Sequence, residues 1–141
     1  MKKILFLIAL TGGAQFFSVI SNSDFSDRSP QARLDRIIQA IRSDVPGIKQ
    51  QMTALASNTQ GNITVGGKVA EFVLVTTGDL NKAKEKIAAG DRTGAKAILD
   101  ELIAFLNGQM HGEAYYKDII INFEGWPRTV ESIIRIVNNN I

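Results

Sequence analysis

The amino-acid sequence predicts an all-α protein: a small bundle of five or six mostly short helices that follows an apolar N-terminal segment. Apolar residues recur at helical spacing in several separate stretches, and Gly, Pro or Asn interrupts the chain between them. A length of 141 residues and a hydrophobic content of 45% fit one globular domain. A small α+β fold is the alternative, because residues 68–77 and 118–123 are rich in side chains that favour strands.

The first helix is predicted to begin at Pro30, since proline suits a helix's first turn. Its apolar face has the spacing i, i+3, i+4, i+7 and consists of Leu34, Ile37, Ile38 and Ile41. Pro46 is expected to end or bend this helix, because proline removes a hydrogen-bond donor and clashes with the preceding turn. A second helical segment follows, with Ile48, Met52 and Leu55 on one stripe.

The middle of the chain is predicted to contain a loop at Ser57–Gly67, which is rich in Ser, Asn, Thr and Gly. We favour a helix over a strand for Lys68–Thr77, because the apolar stripe continues beyond it through Leu80, Ala83 and Ile87. Gly90-Asp91 predicts a tight turn between two helices, since Gly ends a helix well and Asp begins one well.

The next helix has a strong apolar face and is expected to end at Asn107-Gly108; the face comprises Ala95, Ile98, Leu99, Leu102, Phe105 and Leu106. A further helix is predicted from the spacing of Tyr116, Ile119, Ile120 and Phe123, with a strand at Asp118–Phe123 as the alternative. Pro127 then suits the first turn of the last helix, whose stripe is Val130, Ile133, Ile134 and Val137. Asn138–Asn140 should fray.

The first 23 residues resemble a secretory signal. Lys2 and Lys3 precede the apolar run Ile4–Leu10, and small residues beyond it would permit cleavage before Gln15 or Asp24. Two other interpretations remain: an uncleaved membrane anchor, since residues 4–23 form an uncharged stretch of 20, or a retained apolar arm that is part of the fold. The predicted organisation is a signal-like or anchor segment at 1–23, a linker at 24–30 and a helical domain at 31–141.

The charge balance argues against a nucleic-acid partner. The chain has 16 Lys and Arg against 14 Asp and Glu. Removing residues 1–23 takes away Lys2 and Lys3 and no acid, which leaves 14 basic and 14 acidic residues. The body is therefore neutral and lacks the positive field that nucleic-acid binding needs. Membrane contact is expected, if anywhere, through residues 4–23.

The sequence predicts no catalytic residue, cofactor or metal site. Zero cysteines exclude disulfides and thiolate ligands, and His111, the single histidine, is more typical of a solvated loop. Asp100 and Glu101 diverge on a helix, and Asp24 and Asp27 lie in the predicted linker. The lysine cluster is interpreted as a solubilising face: Lys82, Lys84, Lys86 and Lys96.

Three aromatic residues are the candidate partner-binding positions: Trp126, Tyr115 and Tyr116. Core packing beside Pro127 is the competing interpretation for Trp126. The predicted function is that of a non-enzymatic helical envelope protein, periplasmic or membrane-anchored, which acts by binding a protein partner or by self-association. The alternative is a structural subunit of a virion, pilus-like or secretion assembly, whose apolar N-terminal arm is retained and packs on a neighbour.

Overall fold

The computed structural model describes residues 25–60 and 65–141, so the signal-like segment at 1–23 lies outside the described residues. Within them the chain forms five α-helices, one 3-10 helix and one β-hairpin, which confirms the predicted helical bundle. In chain order the elements are α1 (Pro30–Ser43), α2 (Val45–Gln60), α3 (Val65–Ala88), α4 (Arg92–Leu106), the 3-10 helix (Ala114–Asp118), β1 (Ile120–Phe123), β2 (Trp126–Thr129) and α5 (Val130–Asn139).

Helix α3 is the centre of the bundle, since α1, α2 and α4 all pack on it. Helix α5 closes the bundle by contacting α1 and α4, and the hairpin lies at one side, with β1 against α1 and β2 against α5. Burial of a large aliphatic or aromatic side chain contributes about 1.5–3 kcal/mol, so the predicted stripes are the main source of stability. The stripe of α1 and the stripe of α5 are buried over their full length.

The boundaries of α1 follow from its capping residues. Pro30 occupies the first turn, and the Ser29 hydroxyl accepts a hydrogen bond from the Ala32 amide. The helix ends at Ser43, and Pro46 lies in the first turn of α2, where its missing N–H is of no consequence.

The loop predicted at Ser57–Gly67 is wrong over most of its length. Helix α2 continues through Gln60 and α3 begins at Val65, so both ends of the predicted loop are helical. The rest of that loop, residues 61–64, lies outside the described residues. The apolar stripes on either side explain the difference, because burial of Met52 and Phe72 outweighs the weak helix propensity of Ser, Asn and Gly. The helix favoured for Lys68–Thr77 is confirmed.

The helix predicted from Tyr116 to Phe123 is also wrong, and the strand alternative is confirmed. A 3-10 helix ends at Asp118, and β1 then alternates between exposed and buried residues. Ile120 is exposed while Ile121 and Phe123 are buried, which is the period of a strand with one buried face. Pro127 lies in β2, and Thr129 caps α5 by accepting a hydrogen bond from the Ser132 amide.

The predicted fraying at Asn138–Asn140 is wrong, because α5 extends through Asn139. Asn138 is buried, and its amide donates to Asp100 Oδ1 at 2.7 Å. Lys96 Nζ donates to the Asn138 carbonyl at 2.6 Å. These bonds fix the end of α5 to α4.

No helix in the two described ranges combines the length and the apolar character that a membrane crossing requires.

Two helix-ending glycines provide a matched test of the fold. Gly90 and Gly108 have positive φ angles of 80° and 89°. A Cβ at Gly90 would meet open space, whereas one at Gly108 would lie 2.8 Å from the Ala114 amide nitrogen. Gly90→Ala should therefore lower the free energy of unfolding by about 1–2 kcal/mol, the strain of the left-handed conformation alone.

Gly108→Ala should lower the free energy of unfolding by about 1–3 kcal/mol more than Gly90→Ala does, because the backbone must also move to relieve the overlap with Ala114. Urea denaturation of both variants measures the difference. Equal effects of the two substitutions would show that the connection between α4 and the 3-10 helix is looser than the structure indicates.

Candidate functional site

The three aromatic candidates fall into two environments. Tyr115 and Tyr116 are buried, and the Tyr116 ring packs against Phe72 with centroids 5.4 Å apart. The Tyr116 hydroxyl donates to Glu71 Oε1 at 2.6 Å, and burial raises the pKa of this tyrosine well above its ordinary value. Trp126 is instead 66% exposed on the hairpin. Both tyrosines thus belong to the core, and Trp126 is the member of the trio on the surface.

The candidate acid–base residues do not converge. His111 is exposed in the connection after α4, and Glu101 is exposed on α4 itself. Asp100 accepts the hydrogen bond from Asn138, and Asp27 accepts one from the Ser29 amide. Asp24 lies outside the described residues. In the described part of the chain, no group of three or more potential metal ligands occurs.

The candidate lysines are dispersed rather than gathered into one site. Lys84 pairs with Asp35 on α1 at 2.8 Å, and Lys86 lies 3.7 Å from Asp91. Lys96 bonds the end of α5, and Lys82 is exposed on α3. Their contacts join helices or cap turns.

A cleft lies where the hairpin meets the start of α1 and the outer side of α5. It has a volume of about 230 Å³, and its walls combine aromatic, aliphatic and charged side chains. The lining residues are Phe25, Arg28, Arg33, Phe123, Glu124, Trp126, Arg128 and Ile136. We call this the hairpin cleft. Sequence reasoning singled out only Trp126 as a binding candidate among these residues, because the cleft brings the start of α1 to a hairpin that lies about 90 positions further along the chain.

Strand periodicity explains why Trp126 and Arg128 line the same cleft. In the antiparallel register, Trp126 pairs with Phe123 and Arg128 with Ile121. Residues two apart on a strand share a face, and directly paired residues project to the same side. The buried Phe123 and Ile121 anchor that face to the core, so Trp126 and Arg128 stand at its open margin.

The hairpin turn consists of Glu124 and Gly125, both with positive φ angles, of 52° and 89°. Positive φ at both central residues is typical of a type I′ turn, whose twist matches that of the strands it joins. Glycine adopts this conformation freely, whereas a residue with a side chain loses about 1–2 kcal/mol. Some other interaction must therefore hold Glu124 in place.

That interaction is an ion-pair cluster with the first turns of α1. The Glu124 carboxylate accepts from Arg33 Nη2 at 3.0 Å and from Arg36 Nη1 at 2.6 Å, and only 9% of its side chain is exposed. Burial raises the pKa of Glu124, but the hydrogen bonds and charges of Arg33 and Arg36 outweigh it and bring the pKa below its ordinary 4.5. The Arg33 guanidinium also lies 5.4 Å from the Phe123 ring centroid. We call this set of contacts the Glu124 clamp.

Breaking the Glu124 clamp should destabilise the fold and alter its pH dependence. Glu124→Gln keeps the strained turn but removes the charge that balances Arg33 and Arg36, and should lower the free energy of unfolding by about 1.5–3 kcal/mol at neutral pH. Because the folded pKa of Glu124 is depressed, its contribution to stability is present above the ordinary pKa of 4.5 and is lost as pH falls through the lower folded value.

The stability gap between the wild-type protein and Glu124→Gln should therefore be widest at neutral pH and narrow below about pH 4.5. Urea denaturation across that range measures it. Glu85→Gln is the control, since Glu85 is exposed on α3 and far from the hairpin in sequence. A gap that stays constant down to acid pH would contradict the clamp.

No protein-family profile, curated protein or solved structure matches this chain. The hairpin cleft, with its exposed tryptophan and its arginines, is the candidate binding site of the described part of the chain.

Proposed function

We propose that the chain is a small, non-enzymatic helical protein of the cell envelope, which acts by binding another protein through the hairpin cleft. One observation carries this proposal: Trp126, the single tryptophan, is 66% exposed on the hairpin that the Glu124 clamp holds to α1. It lines the same cleft as Ile136 of α5. A side chain of this size would bury a large area in an ordinary core, so its placement on the surface favours a contact with something else.

The residues around Trp126 distinguish it from other exposed apolar residues. Leu74 and Met110 are also exposed, but single apolar side chains on a surface are normal, and neither lines the cleft. Trp126 and Ile136 share the cleft with Arg28 and Arg128. Tryptophan and arginine are among the residues most enriched at the energetic centres of protein interfaces.

The Glu124 clamp supports a binding role because it holds the aromatic residue in place. Trp126 follows a turn whose first residue is bonded to two arginines of α1, and its strand partner Phe123 is buried. A preorganised side chain loses less conformational freedom on association, so more of the contact energy appears as affinity.

The N-terminal segment supports the envelope location. Two lysines followed by an apolar run and small residues are typical of a secretory signal, or of an anchor when cleavage does not occur. Both cleavage positions precede the first helix, so cleavage at either one would leave α1 through α5 in the mature chain.

Site-directed photo-crosslinking tests the binding role. We expect p-benzoyl-phenylalanine in place of Trp126 to give a discrete protein adduct in the cells that make the protein. The same residue in place of Leu74, which is equally exposed on α3, should not give it. Excess unmodified protein should compete for the adduct. Equal labelling from both positions, or none from position 126, would contradict the proposal, and an adduct with a second copy of the chain would favour the structural-subunit alternative.

Intact mass and fractionation test the location. After expression of the full chain in a bacterium, we expect an N-terminus at Gln15 or Asp24, or an intact Met1 in the membrane fraction. Lys2→Glu combined with Lys3→Glu should cause precursor to accumulate, because the positive n-region orients the segment. An intact Met1 in the cytosolic fraction of the unaltered chain would overturn the envelope assignment.

A further inference from the structure

We infer that the segment bound by the hairpin cleft is an acidic peptide with an apolar side chain, whose carboxylates pair with Arg28 and Arg128 while its apolar group packs on Trp126 and Ile136. This inference rests on the proposed function and specifies the chemistry of the partner.

The charges around the cleft do not balance. Among the described residues, four guanidinium groups lie in or beside it, those of Arg28, Arg33, Arg36 and Arg128, against the carboxylates of Glu124 and Asp27. Four positive and two negative charges leave two positive charges in excess. The rest of the body is correspondingly acidic, because residues 24–141 carry 14 basic and 14 acidic side chains. The positive excess at the cleft is therefore offset by an acidic excess elsewhere in the body.

Two of the four arginines remain available to a ligand. Arg33 and Arg36 are mostly buried and bond directly to Glu124. Arg28 lies 3.9 Å from the same carboxylate with 66% of its side chain exposed, a distance that leaves most of its donors to solvent. Arg128 is exposed and forms no ion pair with any described residue. Guanidinium groups bind carboxylates in a bidentate manner, which gives such a pair directional specificity.

The cleft that contains these two arginines also has an apolar part. Trp126 and Arg128 are on one face of β2, Phe123 forms a buried floor, and Ile136 and Phe25 contribute partly exposed walls. A ligand with charge alone would leave this apolar surface uncovered, and one with apolar groups alone would leave two arginines without partners. A peptide that alternates acidic and apolar side chains satisfies both.

Charge argues for a protein rather than a nucleic acid as the source of the anionic groups. Nucleic-acid binding draws its affinity from many phosphate contacts along an extended basic surface. Here the excess is two charges in one cleft on a neutral body. A short acidic peptide matches that small, local excess.

The chain has a single tryptophan, so tryptophan emission, excited at a wavelength that its two tyrosines do not absorb, reports on Trp126 in the cleft. The probe is a short capped peptide in which Glu alternates with Leu, titrated into the full protein. Two matched peptides replace Glu with Gln or with Lys. We expect a saturable change in emission with the Glu peptide, weaker binding of the Gln peptide by about tenfold, and no saturation with the Lys peptide.

Arg28→Gln and Arg128→Gln should each lower the affinity for the Glu peptide by about fivefold. Arg42→Gln is the matched control and should leave binding unchanged, because Arg42 is exposed in the last turn of α1, about 13 Å along the helix from Arg33. Circular dichroism verifies that each variant retains its helices. A higher salt concentration should lower the affinity for the Glu peptide more than the affinity for the Gln peptide.

Equal binding of the three peptides, no binding of the Glu peptide, or affinities unchanged in both arginine variants would overturn the inference. A stronger response to an oligothymidylate, or to inorganic phosphate alone, would assign the site to another anion and overturn it as well. If position 126 crosslinks to a protein but the three peptides bind equally, only the inference that the partner segment is acidic is rejected. Failure of crosslinking rejects the proposed function itself, which keeps the two outcomes distinct.

Discussion

The contact between one carboxylate and two arginines decides how the hairpin sits on the bundle. Glu124 is separated from Arg33 and Arg36 by about 90 positions in the chain, and it joins the first turns of α1 to the turn between β1 and β2. A two-stranded hairpin is only marginally stable by itself in water. The Glu124 clamp and the burial of Ile121 and Phe123 supply the stability that an isolated hairpin lacks. They thereby fix the strand that carries Trp126 and Arg128 against the bundle.

The turn illustrates how local strain and tertiary contact are balanced. A left-handed glutamate is unfavourable by an amount similar to that of one charge-assisted hydrogen bond, and the Glu124 carboxylate accepts three such bonds from Arg33 and Arg36. Asparagine or glycine at this position would relieve the backbone but leave two partly buried guanidinium groups without a balancing charge. The less favourable residue for the turn is thus the more favourable one for the whole structure.

The sequence predicted those parts of the fold in which local pattern and burial agree. The stripes of α1, α4 and α5 are buried as their spacing indicates, and Gly90-Asp91 forms the expected turn. Prediction failed where tertiary contacts override local preference: helices continue into the stretch rich in Ser, Asn and Gly, and Asn138 is held by Asp100 and Lys96. Of the cleft, only Trp126 was found, since a spacing rule within one element cannot reveal a carboxylate and arginines brought together from opposite ends of the chain.

The length of the hairpin turn has a consequence for how this protein can change. Because side chains alternate along β2, inserting or deleting one residue between Phe123 and Trp126 would slip the strand register and turn each side chain to the opposite face. Trp126 and Arg128 would leave the cleft together, and Pro127 would face inward. Recognition at this surface can therefore change more readily by substitution than by a change in the length of the turn.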